Sequence, residues 1–162
     1  MSMIRLVGSK KMNSFAVFLS VIKKLKKRSG VCVLLSKPYS AVEKKLTQAV
    51  DPKKVFFIDT ANNLSQGDNV VSLPIEDLTG LSLAIDQAFQ VLPRENPFLV
   101  FDAFSLFTLH NDPKTVAKFA LFLIKTMRAR SVETIIVRGS EGMNPELQSV
   151  LEQAADKVET VS

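Results

Sequence analysis

Short apolar runs and helix-length amphipathic segments alternate along this chain, and that alternation limits the folds open to it. The clearest apolar runs are four to six residues long and rich in β-branched or aromatic residues. Such runs are typical of strands that are buried on both faces of a sheet. They occupy residues 31–35, 55–59, 97–102 and 134–137. Shorter runs at residues 4–7, 69–73 and 158–161 are weaker strand candidates.

The segments between these runs have the periodicity of amphipathic helices. The helical segments are residues 14–28, 41–49, 78–92, 113–130 and 144–155. This order predicts an α/β fold with a mainly parallel central sheet and helices on both faces. We expect one domain over residues 1–162. The side chains that we expect between the sheet and its helices are Phe57, Val100, Phe101, Phe119, Phe122, Ile135 and Ile136.

Composition narrows the class of protein. The chain is 46% hydrophobic and 23% charged, which suits a folded core. One cysteine (Cys32) excludes an intrachain disulfide framework, and one histidine (His110) excludes a histidine-rich metal cluster. No apolar run approaches the roughly 18 residues that a membrane-spanning helix needs. We therefore expect a cytoplasmic protein with no membrane partner and no metal site.

Charge is distributed unevenly along the chain. Residues 1–54 carry 13 Lys and Arg against two acidic residues, whereas residues 55–162 carry eight against 14. Five basic residues fall at the end of the first helical segment: Lys23, Lys24, Lys26, Lys27 and Arg28. Such a cluster either binds a phosphate backbone or keeps the helix end solvated. The sequence leaves both readings open, with weak nucleic-acid binding as the expectation under the first.

Ligands of parallel α/β sheets bind beyond the carboxyl ends of the strands, so the loops there are the candidate sites. Gly8, Lys10 and Lys11 lie between the first strand candidate and the first helix, where a phosphate-binding loop would stand. That loop needs the pattern G-x-x-x-x-G-K-[ST], and here Lys11 is followed by Met12. Asp102 ends a four-residue apolar run, as a magnesium-binding aspartate does. These four residues are the candidates for a degenerate nucleotide-binding site, and we expect no catalytic residues beside them.

Several segments together resemble a known family. They are residues 31–39 (VCVLLSKPY), 55–59 (VFFID), 69–71 (NVV) and 98–107 (FLVFDAFSLF). In their order and spacing they are similar to the RecA-superfamily domain of KaiC-like and RadA-like proteins, specifically the archaeal KaiC-related branch with a degenerate phosphate loop. The resemblance covers nearly the whole chain and implies a three-layer RecA-like fold.

The departures from that family bear on function. Active members carry a glycine-rich loop ending in Lys-Thr or Lys-Ser, and one or two glutamates after the second strand. Ser36 and Lys37 occupy the glutamate position here, and a lysine is a poor substitute for a carboxylate base at neutral pH. The resemblance therefore implies a non-catalytic domain without a cofactor, which acts through a protein partner or a second copy of itself. Two alternatives remain: a divergent ATPase that binds ATP and Mg²⁺, and a nucleic-acid-binding paralogue.

Overall fold

A sheet of seven parallel strands lies at the centre of the computed structural model, which describes residues 3–61, 67–139 and 142–161. The strands are β1 (Ile4–Gly8), β2 (Gly30–Leu34), β3 (Val55–Asp59), β4 (Val70–Ser72), β5 (Phe98–Phe101), β6 (Glu133–Val137) and β7 (Lys157–Thr160). Their order across the sheet is β4-β3-β2-β5-β6-β1-β7. The amino-terminal strand β1 therefore lies between β6 and β7, the last two strands in sequence.

Helices cover both faces of the sheet. They are α1 (Ser14–Lys23), α2 (Tyr39–Ala49), α3 (Leu78–Val91), α4 (Pro113–Ala129) and α5 (Pro145–Ala154), with a 3-10 helix over Phe104–Leu109. Successive strand residues point to opposite faces. Cys32 and Leu34 thus pack with α1 and α2, whereas Val31 and Val33 pack with α3, α4 and α5. This arrangement confirms the predicted three-layer α/β fold, and every strand pairs in parallel with its neighbours.

The end of α1 differs from the prediction of a helix over residues 14–28. The helix ends at Lys23, and residues 24–28 form turns. Leu25 lies in these turns and is buried in the core on the α1–α2 side of the sheet. Gly30 is the first residue of β2. A Cβ at Gly30 would lie 2.5 Å from both Cγ and the carbonyl oxygen of Phe98, so the approach of β2 to β5 requires a glycine there.

Burial of the predicted core residues is confirmed at six positions and wrong at one. Phe57, Val100, Phe101, Phe119, Ile135 and Ile136 are buried. Phe122 is 62% exposed. The buried stripe of α4 runs through Val116, Ala120, Leu123 and Met127, and Phe122 lies about 100° around the helix from Leu123. Its side chain therefore lies beside the buried stripe and is mostly in solvent.

The chain between β5 and α4 adds aromatic packing that the apolar pattern did not predict. Phe101 at the end of β5 contacts Phe104 and Phe107 of the 3-10 helix edge to face, with ring centroids 5.2 and 6.0 Å apart. Phe107 contacts Phe119 of α4 in the same way at 5.6 Å. This cluster fixes the path of the chain directly after Asp102. Among the described residues, no helix has the length and apolar character needed to cross a membrane.

Candidate functional site

The carboxyl ends of β1, β2 and β5 face a shared cavity of about 400 Å³. The residues lining it come from the β1–α1 loop, the β2–α2 loop and the start of the 3-10 helix: Asn13, Ser14, Phe15, Ser36, Lys37, Ala103, Ser105 and Leu106. Lys37 Nζ lies 4.9 Å from the centroid of the Phe15 ring, a cation–π distance. The cavity lies where open parallel sheets bind ligands, so this edge is the candidate site.

The β1–α1 loop uses its own side chains to satisfy its backbone. Ser9 Oγ accepts hydrogen bonds from the amides of Lys11 (3.2 Å) and Met12 (3.0 Å). Asn13 caps α1, because its Oδ1 accepts the amide of Ala16 at 2.8 Å. A phosphate-binding loop works by presenting such amides to the ligand. Here three of them already have side-chain partners, and the side chains of Lys10 and Lys11 are exposed.

Asp102 is fully buried and turned toward the β2–α2 loop. Its Oδ1 accepts the amide of Leu35 at 2.7 Å. Its Oδ2 accepts the hydroxyl of Ser36 at 2.9 Å and the amide of the same residue at 3.3 Å. Burial raises the pKa of Asp102 to about 6, although these hydrogen bonds act in the opposite direction. The carboxylate therefore joins the end of β5 to the loop after β2.

Asp59 has a similar structural position at the end of β3. Its Oδ2 accepts the amide of Tyr39 at 2.8 Å, and its Oδ1 accepts the amide of Ala61 at 2.9 Å. The carboxylate thus binds the first residue of α2, at the positive end of that helix. The Tyr39 ring packs on Phe57, with centroids 5.1 Å apart, and its burial raises the pKa of the phenol. Both residues hold α2 in place at the candidate edge.

The four predicted nucleotide-binding residues lie on the two sides of β6: Gly8, Lys10 and Lys11 at the end of β1 or after it, and Asp102 after β5. Strand β6 lies between β1 and β5, and neighbouring strands are about 4.8 Å apart, so Gly8 and Asp102 lie roughly 10 Å from each other. Lys10 and Lys11 follow Gly8 in the exposed loop. The fit of these residues to ATP and Mg²⁺ is poor, because the amides of Lys11 and Met12 and both oxygens of Asp102 have partners within the chain.

Arg138 and Gly139 also lie at this edge, although neither was among the residues predicted from the sequence. A Cβ on Gly8 would lie 3.0 Å from Cδ of Arg138, so the arginine side chain packs directly on the glycine. The amide of Ser105 donates to the carbonyl of Arg138 at 2.7 Å. Gly139, with φ +126°, follows at a position where a Cβ would collide with Ser105 Oγ. The Arg-Gly pair directly after a buried strand was the available sequence signal.

The predicted basic cluster divides into two parts. Lys23, Lys24, Lys26 and Lys27 are exposed. Arg28 instead donates to Glu133 at 2.9 Å and to the carbonyl of Asn96 at 2.8 Å, and its guanidinium lies over the Phe98 ring. The structure therefore assigns Arg28 to the packing of the sheet edge and leaves four lysines facing solvent.

Two more lysines join the exposed four from a different loop. Strands β2 and β3 pair with Gly30 opposite Val55, so the loops that precede them adjoin. Lys53 and Lys54 are exposed in the second loop, and Lys54 Nζ lies 3.4 Å from the carbonyl oxygen of Lys27. In the described part of the chain, none of these six lysines lies within ion-pair distance of a carboxylate. We call them the lysine edge.

Comparisons with known proteins bear on the fold. The structure superposes on a KaiC-like protein of the hyperthermophilic archaeon Pyrococcus horikoshii OT3 with a TM-score of 0.67 and 15% identity, covering 96% of this chain and 70% of the other. It superposes on an uncharacterized P. horikoshii protein, solved in complex with an unknown peptide, with a TM-score of 0.69 and 13% identity, covering 97% and 76%. Neither a protein-family model nor a curated protein sequence matches the chain. The chain therefore has the α/β fold of KaiC-like, RecA-like proteins.

Proposed function

We propose that this chain is a non-catalytic RecA/KaiC-like domain that acts by binding another protein. The observation that carries the proposal is the closed hydrogen bonding at the candidate edge. Ser9 Oγ accepts the amides of Lys11 and Met12, and Asp102 accepts the amide and hydroxyl donors of the β2–α2 loop. A nucleotide held by these groups would have to replace these bonds, and at the buried Asp102 an unmade hydrogen bond costs about 1–3 kcal/mol.

Two further observations support this proposal. The resemblance implies a glutamate after β2 in active members of the family. In this chain Lys37 lies at that position and contacts Phe15, so no carboxylate base is present there. One protein of the same fold was solved with a peptide bound. Both observations support a role for this chain in binding a protein or peptide without ATP hydrolysis.

The test is nucleotide binding and turnover by the intact chain. We expect no heat of binding for ATP or ADP with Mg²⁺ in calorimetry, and no phosphate release above the buffer rate. The variants are Asp102→Ala, for the carboxylate, and Lys10→Ala with Lys11→Ala, for the exposed loop lysines. Lys44→Ala with Lys45→Ala, on the exposed side of α2, is the matched control. Turnover that disappears in the loop variant and persists in the control would establish the divergent ATPase instead.

The lysine edge favours a second candidate function, the binding of a nucleic-acid backbone. Six exposed lysines lie at the end of α1, in the turns after it and in the loop before β3, and no carboxylate in the described part of the chain pairs with them. No aromatic residue interrupts residues 23–28, so base stacking and sequence preference should be slight. We infer that any such binding is non-specific and electrostatic.

Salt dependence tests this second function. With about four phosphate contacts, the slope of log K against log salt should be about −3.6 for duplex DNA and about −2.8 for a single strand. The variant changes Lys23, Lys24, Lys26 and Lys27 to Glu, and the control changes the exposed Lys114 and Lys118 of α4 to Glu. We expect weak binding that disappears near physiological salt. Submicromolar binding at that salt, lost only in the first variant, would make nucleic acid the main ligand.

A further inference from the structure

Large apolar side chains are exposed where α3 and α4 lie side by side. Leu83 of α3 is 57% exposed and Phe122 of α4 is 62% exposed. Between them lies a groove of about 280 Å³, whose floor includes Ile85, Leu123 and Met127. These floor residues belong to the buried core, so the groove has firm walls and an apolar base. A surface of this kind resembles the grooves that receive the apolar face of a helix.

The unpaired charges beside the groove are positive, and they lie on α4. Lys118 and Lys125 lie four residues before and three residues after Phe122, on the same stripe of α4. Both lysines are exposed, and in the described part of the chain neither is within ion-pair distance of a carboxylate. On the opposite wall, Asp86 is the one charged residue of α3, and it is paired with Arg130. The groove therefore presents uncompensated positive charge beside its apolar centre.

This charge pattern argues against a symmetric dimer through the groove. In a two-fold interface centred on Phe122, the same patch faces itself, so Lys118 and Lys125 of one copy would face the same lysines of the other. Like charges opposed in an interface are unfavourable. A partner with acidic residues beside its own apolar stripe meets no such cost.

We propose that the α3–α4 groove binds an amphipathic helix of another protein, with leucine-like side chains against Leu83 and Phe122 and acidic residues opposite Lys118 and Lys125. This inference rests on the proposed protein-binding function and names its surface and the chemistry of its partner. The acidic flanks bring specificity and a faster encounter, and the buried apolar contacts bring most of the affinity.

The experiment measures binding of two synthetic helical peptides to the intact chain by fluorescence anisotropy. Both carry leucines at helical i, i+3, i+4 and i+7 positions; one has glutamates on its flanks and the other has lysines at the same places. We expect the glutamate peptide to bind at least about tenfold more tightly than the lysine peptide at low salt. The shifts of backbone amide signals in the chain should map to α3 and α4.

Three variants test the residues. Phe122→Ser should weaken the glutamate peptide by at least about tenfold, since it removes the central apolar contact. Lys118→Glu with Lys125→Glu should reverse the preference toward the lysine peptide. Val158→Ser, at a comparably exposed apolar side chain on the opposite edge strand, should change neither affinity. Circular dichroism of each variant verifies that the fold is retained.

Several results would overturn the inference. They are a dissociation constant for the glutamate peptide above about 1 mM, equal affinity for the two peptides, or no effect of Phe122→Ser. Self-association of the chain that Phe122→Ser abolishes would assign the groove to a second copy and equally overturn it. The nucleotide experiments are independent of all of these, so failure here and failure of the proposed function remain distinguishable.

Discussion

At the scale of single residues, Asp102 connects the candidate edge to the stability of the fold. Its two oxygens bind the amides of Leu35 and Ser36 and the hydroxyl of Ser36. Burial nevertheless raises the pKa of this carboxyl to about 6, so the folded chain binds a proton more tightly than the unfolded chain does. The associated stability is fully present below the unfolded pKa near 4 and is lost as the pH rises through about 6.

Replacing Asp102 with Asn should expose this pH dependence. The variant cannot titrate, so the free energy of unfolding of Asp102→Asn relative to the native chain should rise between about pH 4 and pH 6. The rise should be up to about 3 kcal/mol, at 1.36 kcal/mol per pKa unit, and should level off above pH 7. Urea unfolding at five pH values measures it. Ser36→Ala removes a hydrogen bond that lowers the pKa, so in that variant the transition should move to higher pH. A difference that is constant from pH 4 to pH 8 would contradict the argument.

At the scale of elements, α4 holds two phenylalanines with opposite surroundings. Phe119 is 8% exposed and packs edge to face on Phe107, whereas Phe122, one turn later, is 62% exposed. Phe119→Ala should cost about 3–5 kcal/mol of unfolding free energy, because it empties a filled core position. Phe122→Ala should cost less than about 1 kcal/mol, because its side chain is mostly in solvent already. Both changes bring Ala into the same helix, so helix propensity cancels in the comparison. Guanidinium unfolding of the two variants measures the difference, and equal losses would place Phe122 in the core after all.

Local pattern also explains which elements the sequence could predict. The seven strand candidates follow from apolar runs, and the starts of α4 and α5 follow from Asp112 and Asn144, residue types that commonly precede a helix. The end of α1 did not follow, because Leu25 continues the helical apolar pattern while the chain has already turned. The inward turn of Asp102 did not follow either. Its partners are residues 35 and 36, which are distant in sequence, and no local sequence pattern predicts that contact.

At the scale of the whole molecule, the two faces of the sheet have different surfaces. Exposed large apolar side chains of the described residues include Leu83, Leu121 and Phe122, all on the α3–α4 side. The lysine edge lies on the other side, since its residues come at the end of α1 or after it and in the segment after α2. The order of strands that separates these layers was beyond local pattern, because it depends on which crossover each helix makes. The resemblance implied a three-layer RecA-like fold without a strand order, and the structural neighbours confirm the fold.

Amide hydrogen exchange should report this architecture across the sheet. Strands β2 and β5 lie at its centre and are buried along their whole length, whereas β4 and β7 are its edges. We expect the amides of residues 31–33 and 99–100 to exchange only through global unfolding, and those of the edge strands to exchange through smaller openings. The free energies from exchange should fall from the centre toward both edges. Protection in β7 equal to that in β2 would contradict this order.

The position of β1 has a consequence for how the chain is made. Its backbone partners are residues 134–137 and 157–160, so this strand has no neighbour until that part of the chain has been synthesised. A nascent chain that stops before β6 must leave β1 unpaired, with its apolar residues Ile4 and Leu6 lacking the layer that buries them. Chaperone contact with residues 4–8 is therefore expected during translation. The sheet is completed only after β6 and β7 have emerged, because contacts between distant parts of a chain form last and slowly.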